Sequence, residues 1–311
     1  MASDALVITG PTAVGKTEIG ILAARMLEGE IISMDSRQVY RGMDIGTAKP
    51  ALAARGGIPH HGFDLVSPAE RYNAGRFARD ARRWIEGIRA RGRVPILVGG
   101  TGFFLRALTH PLFHEPELAP ERRTRLEQYL GRRDREELTR WAAALDPEAT
   151  RMRSGGRQRL ARVIEVALLT GRPITWWHAH APPVAAPLAL RIVVLDLARD
   201  ALARRIDERV HDMVRAGLVD EVRRLLSQGY GPDSPGMSAT GYAELIPHVQ
   251  GERSLEEAVA LTQAATRRYA RRQRTWFRSQ LPPDAVRFEA VRPADEIAHT
   301  IVDEWRKEAE P

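Results

Sequence analysis

One segment of eight residues, residues 10–17, restricts the fold of this chain more than any other feature of its sequence. It matches the phosphate-binding loop pattern G-x-x-x-x-G-K-[ST] at every fixed position. The apolar run Ala5–Thr9 before it favours a short buried strand, and residues 18–27 after it favour a helix. A strand that passes through such a loop into a helix predicts an α/β protein with a parallel sheet.

The residue types of this phosphate loop are those that bind a diphosphate or a triphosphate. Glycines let backbone N–H groups turn toward phosphate oxygens, and the start of the following helix adds positive potential. Lys16 would place its charge on the terminal phosphates, and the hydroxyl of Thr17 would be a ligand for Mg²⁺. The expected diphosphate- or nucleotide-binding residues are Gly10, Pro11, Thr12, Ala13, Val14, Gly15, Lys16 and Thr17.

The rest of the chain alternates strand and helix patterns, with an interruption in the middle. Strands are expected at residues 30–33, 94–98 and 189–195, with a helix at residues 76–91. Between them the chain has charged helical patterns and no good strand. We therefore predict a P-loop NTPase-like parallel sheet flanked by helices, with an inserted all-helical domain. The expected boundaries are 1–113 for the first part of the core, 114–188 for the helical insertion, and 189–311 for the last strand and the C-terminal helices.

The charge balance permits a polyanionic partner without requiring one. Lys+Arg is 47 against 40 for Asp+Glu, which gives a net charge of +7. Only Lys16, Lys49 and Lys307 are lysines, so an arginine-rich composition explains the excess as well as nucleic-acid binding does. The chain has no cysteine, which excludes disulfides and cysteine-ligated metals. We find no signal peptide and no apolar run long enough to cross a membrane, and we expect a cytoplasmic protein.

The phosphate loop alone leaves the reaction open, because nucleotide hydrolases and small-molecule kinases share it. The strand at residues 94–98 is followed by Gly99-Gly100-Thr101, where a hydrolase would often carry a metal-binding Asp. Asp35, at the end of the second strand, is instead the acidic residue nearest to the phosphates by topology. Ligands gather at the carboxyl ends of parallel strands, so the loop, Asp35 and Thr101 should converge on one pocket.

The block that follows the second strand resembles the signature of the tRNA dimethylallyltransferases. This signature segment, residues 35–50, reads Asp-Ser-Arg-Gln-Val-Tyr-Arg-Gly-Met-Asp-Ile-Gly-Thr-Ala-Lys-Pro. Four other parts of the chain are similar to the same family: the phosphate loop, Val98-Gly99-Gly100-Thr101-Gly102, the helix that contains Gln158-Arg159, and Arg272-Gln273-Arg274-Thr275-Trp276-Phe277-Arg278. The resemblance spans roughly residues 6–278.

The resemblance implies a prenyl transfer onto tRNA. The dimethylallyl group of dimethylallyl diphosphate would move to the exocyclic amine of the adenosine 3′ to the anticodon, with Mg²⁺ as cofactor. It implies that Asp35 accepts the proton of the amine, that Thr101 hydrogen-bonds the amine or a phosphate, and that Arg209 faces the diphosphate. The protein is expected to be a monomer. The tRNA contacts that it implies are Asp35, Ser36, Arg37, Gln38, Thr101, Arg123, Gln158, Arg159, Leu160, Ala161 and Arg162.

Taken one by one, these residues also have ordinary structural explanations. Asp35 could cap a helix, Thr101 could be a turn residue, and Arg209 could be a solvated helix charge. Three other functions are open: a prenyltransferase for free adenine nucleotides, a P-loop kinase or NTPase, and a non-catalytic RNA-binding module. The insertion and the basic C-terminal helix disfavour the first. The joint presence of Lys16, Thr17, Asp35 and Thr101 disfavours the last.

Overall fold

The computed structural model describes residues 3–113, 120–151 and 156–309. The chain forms two compact units. The core unit comprises residues 1–110 and 187–311, and the insertion unit comprises residues 111–186.

Six parallel strands form a single sheet in the core unit. In chain order they are β1 (Ala5–Thr9), β2 (Glu30–Ser33), β3 (His60–His61), β4 (Pro95–Gly99), β5 (Leu190–Asp196) and β6 (Val286–Glu289). Their order in the sheet is β3-β2-β4-β1-β5-β6. All residues of β1, β2 and β4 are buried, because helices cover both faces of a parallel sheet.

The described part of the chain contains thirteen α-helices. They are α1 (Lys16–Met26), α2 (Ala74–Ala90), α3 (Gly102–Thr109), α4 (Pro120–Gly131), α5 (Arg135–Leu145), α6 (Pro147–Arg151), α7 (Arg157–Thr170), α8 (Ile174–His180), α9 (Arg199–Arg215), α10 (Leu218–Ser227), α11 (Tyr242–Val249), α12 (Leu255–Gln280) and α13 (Ala294–Ala309). Short 3₁₀ helices occur at Leu52–Arg55 and Gly236–Ser238. None of the described helices is both long enough and apolar enough to span a bilayer.

The sheet order brings three loops together at the carboxyl ends of the strands. β1 lies between β4 and β5, with Thr9 paired to Gly99 on one side and to Val194 on the other. The hydroxyl of Thr9 also donates to the carbonyl oxygen of Gly99 at 2.8 Å. β2 is the other neighbour of β4, so the carboxyl ends of β1, β2 and β4 are adjacent. Ligands of open parallel sheets bind at these carboxyl ends of the strands.

The insertion unit has an apolar core of its own. Leu130, Leu138, Ala142 and Ile164 are among the buried residues that join α4, α5 and α7. Asp146 is 1% exposed and fixes the unit from within. Its carboxylate accepts the backbone N–H of Ala149 at 2.9 Å and the N–H and hydroxyl of Thr175 at 3.0 and 2.9 Å. A buried carboxylate is stable only when it is bonded in this way.

The structure confirms the predicted fold class: a parallel sheet flanked by helices, with a helical insertion. Two strands were not predicted, because their sequences carry too little pattern. β3 has two residues, and β6 alternates between half-buried and exposed positions at the sheet edge. The helices α3, α6, α8, α11 and α13 were not predicted either.

Candidate active site

The phosphate loop has the backbone conformation that its glycines predict. Gly10 has φ of +147°, and a Cβ at this position would lie 2.2 Å from the carbonyl oxygen of Leu195. Gly15 has φ of +99° and is the N-cap of α1, where no side chain caps the helix. Ala13 also has a left-handed φ of +64°, which costs about 1 kcal/mol for a residue with a Cβ. The first N–H groups of α1 are therefore available to an anion.

The surroundings of Lys16 in the loop disfavour the charged form of its ammonium group. Its ammonium group donates to the carbonyl oxygen of Pro11 at 2.6 Å. Burial and the nearby positive charge of Arg209 lower the pKa of Lys16 to about 7, although the carboxylate of Asp35 acts in the opposite direction. A diphosphate bound here would favour the charged form of Lys16, because an opposite charge nearby stabilises an ammonium group.

Asp35 and Thr101 are held together by backbone hydrogen bonds between the ends of β2 and β4. The N–H of Thr101 donates to the carbonyl oxygen of Met34 at 3.2 Å, and its hydroxyl accepts the N–H of Ser36 at 3.0 Å. Asp35 Oδ1 accepts the N–H of Arg37 at 2.8 Å. The residues after Asp35 form turns and start no helix, so Asp35 is not a helix cap.

Arg209 is half-buried on α9, so its guanidinium group is not that of a fully solvated helix residue. Burial lowers the pKa of its guanidinium group, and the carboxylate of Asp35 partly opposes this. Arg209 also lines a cavity of about 540 Å³, together with Ile45, Lys49 and Met213 among other residues. The charges of Lys16, Asp35 and Arg209 therefore act on one another at one place.

The signature segment uses most of its polar side chains to hold its own shape. Gln38 Oε1 accepts the hydroxyl of Ser33 at 2.8 Å, and its Nε2 donates to the carbonyl oxygens of Thr47 and Ala48 at 3.2 and 3.3 Å. Arg37 donates to the carbonyl oxygen of Pro235 at 3.1 Å and also contacts Ser238. Gln38 thus fixes the loop, which the sequence did not reveal.

Two buried charges complete this support. The side chain of Lys49 is 3% exposed and donates to Asp44 and Asp64 at 2.6 Å each and to the carbonyl oxygen of Tyr40 at 3.1 Å. Glu221 of α10 is also 3% exposed. Its carboxylate accepts the consecutive N–H groups of residues 44, 45 and 46 at 3.0–3.1 Å and the hydroxyl of Tyr242 at 2.5 Å. Burial and the charge of Glu221 raise the pKa of Tyr242, so this hydroxyl stays protonated.

Three residues of α12 that sequence reasoning left without a role lie behind the phosphate loop and Thr101. Gln273 hydrogen-bonds the backbone of Thr12 and of Gly100. Burial together with the charge of Asp35 raises the pKa of Tyr269 to about 12. Trp276 packs on Gly102, where a Cβ would lie 2.3 Å from the indole ring. Their spacing of four and three residues on one helix face was the available signal.

The insertion residues expected to contact RNA lie on α4 and α7. Gln158 and Arg159 are exposed, and Ala161 and Arg162 are half-buried. Leu160 is 7% exposed and packs in the core of the unit, so its side chain is not presented to a ligand. Glu165 Oε1 accepts from Arg162 at 2.7 Å and from Arg123 at 2.9 Å. Because Glu165 is buried, it fixes the direction of both guanidinium groups.

The sheet and the loop at the end of its central strand define a P-loop protein of the α/β class. Residues 38–280 match the family model described as IPP transferase, and the chain belongs to this family.

Known proteins that are similar over almost the whole chain agree with this assignment. A tRNA dimethylallyltransferase of Maricaulis maris is 44% identical over 276 residues, which cover 88% of this chain and 90% of that protein. The crystal structure of a full-length tRNA isopentenylpyrophosphate transferase from Bacillus halodurans matches with a TM-score of 0.71 and 35% identity, covering 99% of this chain and 98% of that one.

A eukaryotic dimethylallyltransferase, captured crystallographically while acting on tRNA, matches with a TM-score of 0.77 and 28% identity. The match covers 92% of this chain and 73% of that one. These comparisons confirm the resemblance predicted from the sequence, and they confirm that the chain is a transferase of this family.

Proposed function

We propose that this protein transfers the dimethylallyl group of dimethylallyl diphosphate to the exocyclic amine of the adenosine 3′ to the anticodon in tRNA. The main support for the proposal is that the charged groups of Lys16, Asp35 and Arg209 interact electrostatically beside the phosphate loop. The names of the relatives, tRNA dimethylallyltransferases and tRNA isopentenylpyrophosphate transferases, support the donor and the acceptor.

In this proposal the phosphate loop holds the diphosphate of the donor. The N–H groups at the start of α1 and the charges of Lys16 and Arg209 face the phosphate oxygens, where negative charge increases as the leaving group departs. The three groups thus stabilise the transition state more than the bound donor.

The transfer step is a substitution at the first carbon of the prenyl group. The nitrogen of the adenosine amine forms a bond to this carbon, and the bond from the carbon to the diphosphate oxygen breaks with its electron pair on that oxygen. The amine nitrogen then carries an excess proton, which the carboxylate of Asp35 accepts. The hydroxyl of Thr101, held by Ser36 next to Asp35, orients the amine.

Magnesium fits the donor atoms of this site only when the diphosphate shares the coordination. No group of three or more His, Cys, Asp or Glu that could hold a metal occurs among residues 3–113, 120–151 and 156–309. The exposed hydroxyl of Thr17 follows Lys16 in the first turn of α1. Mg²⁺ often binds through one protein oxygen plus phosphate and water oxygens, and Thr17 would hold it in this way. The ion would neutralise charge on the departing diphosphate.

The acceptor base must leave its stack to reach Asp35 at the sheet edge. We propose that the turn of Ser36, Arg37 and Gln38 receives it, with Gln38 acting mainly through the backbone that its side chain supports. We further propose that the insertion unit contacts the anticodon stem-loop. Its contact residues would be Arg123, Gln158, Arg159, Ala161, Arg162 and the backbone of Leu160. The protein would act in the cytoplasm. It would act as a monomer, and size-exclusion chromatography tests this oligomeric state.

The test uses the purified protein, Mg²⁺ and radiolabelled dimethylallyl diphosphate with one of two acceptors. The first acceptor is unmodified tRNA with adenosine 3′ to its anticodon, and the second is AMP. A third reaction replaces the donor with γ-labelled ATP. Asp35→Ala is compared with Asp220→Asn, which changes an aspartate whose side chain is 79% exposed.

We expect label to enter tRNA with the unchanged protein and with Asp220→Asn, and to be lost with Asp35→Ala. Label that enters only AMP would replace the proposal with a nucleotide prenyltransferase. Phosphate release from ATP without prenyl transfer would replace it with a kinase or NTPase. Transfer to tRNA at an undiminished rate by Asp35→Ala would remove Asp35 from the mechanism.

A further inference from the structure

A single face of α12 lies against the turn that carries Thr101. Gln273 and Trp276 are three residues apart, so their side chains lie on the same side of the helix. Gln273 contacts the backbone of Gly100, and Trp276 packs on Gly102, the first residue of α3. The turn has glycines on both sides of Thr101 because no Cβ would fit beneath this face.

Gln273 also reaches the phosphate loop. Its Oε1 accepts the N–H of Thr12 at 2.9 Å, while its Nε2 donates to the carbonyl oxygen of Gly100 at 2.8 Å. Gln273 is only 7% exposed. One side-chain amide thus bridges two loops that follow different strands, from a position 261 residues away from Thr12 and 173 from Gly100.

This bridge requires the side-chain amide of a glutamine. Thr12 offers a donor and Gly100 an acceptor, so the bridging group must both accept and donate within a few ångströms. Glutamate could accept from Thr12 but would face the carbonyl oxygen of Gly100 with a negative charge. Methionine has a similar length and can make neither bond, which would leave two polar backbone groups without their partner.

From this geometry we propose that Gln273 is a positioning residue that sets the distance between the phosphate loop and the turn of Thr101. The same turn carries the hydroxyl of Thr101, which accepts the N–H of Ser36, the neighbour of Asp35. Given the proposed function, Gln273 holds the diphosphate of the donor and the amine of the acceptor in register. A displacement of about 1 Å between reacting groups can lower a rate 100-fold.

The experiment compares three single variants of the full chain. Gln273→Met removes both hydrogen bonds, and Gln273→Glu keeps one. Gln263→Met is the matched control, since Gln263 lies on the same helix and hydrogen-bonds Asp207 and His211 of α9, away from the phosphate loop and Gly100. For each variant we would measure kcat and KM for tRNA and for the donor, the dissociation constant for inorganic pyrophosphate, and the thermal midpoint.

We expect Gln273→Met to lower kcat about 30-fold or more with less than a threefold change in the KM for tRNA. Pyrophosphate binding should weaken severalfold. Gln273→Glu should be at least as impaired as Gln273→Met. Gln263→Met should match the unchanged protein in all of these.

A folded Gln273→Met that loses thermal stability but keeps kcat within twofold would overturn the proposal, since only a structural role would then be left. If Gln273→Met does not fold, Gln273→Glu decides by the same criterion. If the unchanged protein transfers no prenyl group to tRNA, the proposed function fails. The effect of Gln273→Met on pyrophosphate affinity still tests the bridge, and an unchanged affinity would then overturn it.

Discussion

The phosphate loop and the signature segment both lie at the carboxyl ends of the strands, but their backbone N–H groups have different partners. In the phosphate loop, glycine conformations and the start of α1 provide N–H groups and the charge of Lys16 for binding an anion. In the signature segment, three consecutive N–H groups already have an anion, the carboxylate of Glu221, which is part of the protein.

This difference separates ligand binding from support. The phosphate loop should respond to substitution mainly by losing affinity and rate, because Lys16 and the start of α1 act on a ligand. Beyond Asp35 and the acceptor-binding residues proposed above, the signature segment should respond mainly by losing stability, because its polar groups are bonded to residues such as Glu221 and Lys49 within the fold.

The largest expected effect is that of Lys16→Met. Removing the charge should lower kcat/KM about 1000-fold or more and abolish detectable pyrophosphate binding, while the urea midpoint stays close to that of the unchanged protein. Lys307→Met is the control, because the side chain of Lys307 is 72% exposed and pairs only with Glu304. A loss of stability as large as the loss of rate would break the proposed separation.

The next effect is that of Glu221→Ala on stability. It leaves the N–H groups of residues 44, 45 and 46 and the hydroxyl of Tyr242 without their acceptor, which should cost about 3 kcal/mol in the free energy of unfolding. Urea denaturation measures it. Asp220→Ala, one residue away and exposed, should change stability by less than about 0.5 kcal/mol. Equal stabilities for the two variants would contradict the supporting role of Glu221.

A smaller effect is expected from pH on pyrophosphate binding. The pKa of Lys16 is about 7 without the anion, and a bound diphosphate should raise it. Above pH 7 binding must therefore take up a proton, and affinity should fall up to about tenfold per pH unit until the pKa of the bound state is reached.

Calorimetry in buffers of different ionisation enthalpy measures the proton uptake. Lys16→Arg is the matched control, because a guanidinium stays charged and leaves only the titration of pyrophosphate itself. An identical proton uptake for the two proteins at pH 8 would rule out Lys16 as its source.

The smallest effect should come from the insertion unit. Arg159→Ala removes one exposed charge on α7 and should weaken tRNA binding severalfold. If Arg159 contacts a phosphate, the slope of log affinity against log salt should decrease in magnitude by about 0.7–0.9. Filter binding from about 50 to 200 mM salt measures it, with Arg223→Ala of α10 as the control. An unchanged slope would place Arg159 outside the RNA contact.

The predictable part of the fold was the part with local patterns. The strand before the phosphate loop, the helix after it and the insertion helices α4, α5 and α7 showed apolar runs or helical spacing, whereas the short helices α6 and α8 were not predicted. The short strands β3 and β6 gave no such signal, because two to four residues at a sheet edge are too few for a period to show. In the site, Lys16 and Asp35 followed from motif and topology, whereas Gln273 and Glu221 did not.

By itself, the sequence determined the phosphate loop, the strand before it and the helix after it, and the family of the protein. These depend on backbone conformation and periodicity, which neighbouring residues encode. Only the tertiary structure decided that Gln273 bridges Thr12 and Gly100, and that Glu221 binds a segment 175 residues before it. Such bonds join groups that come together only when the sheet and helices pack, and no local pattern marks which buried polar side chain meets which backbone group.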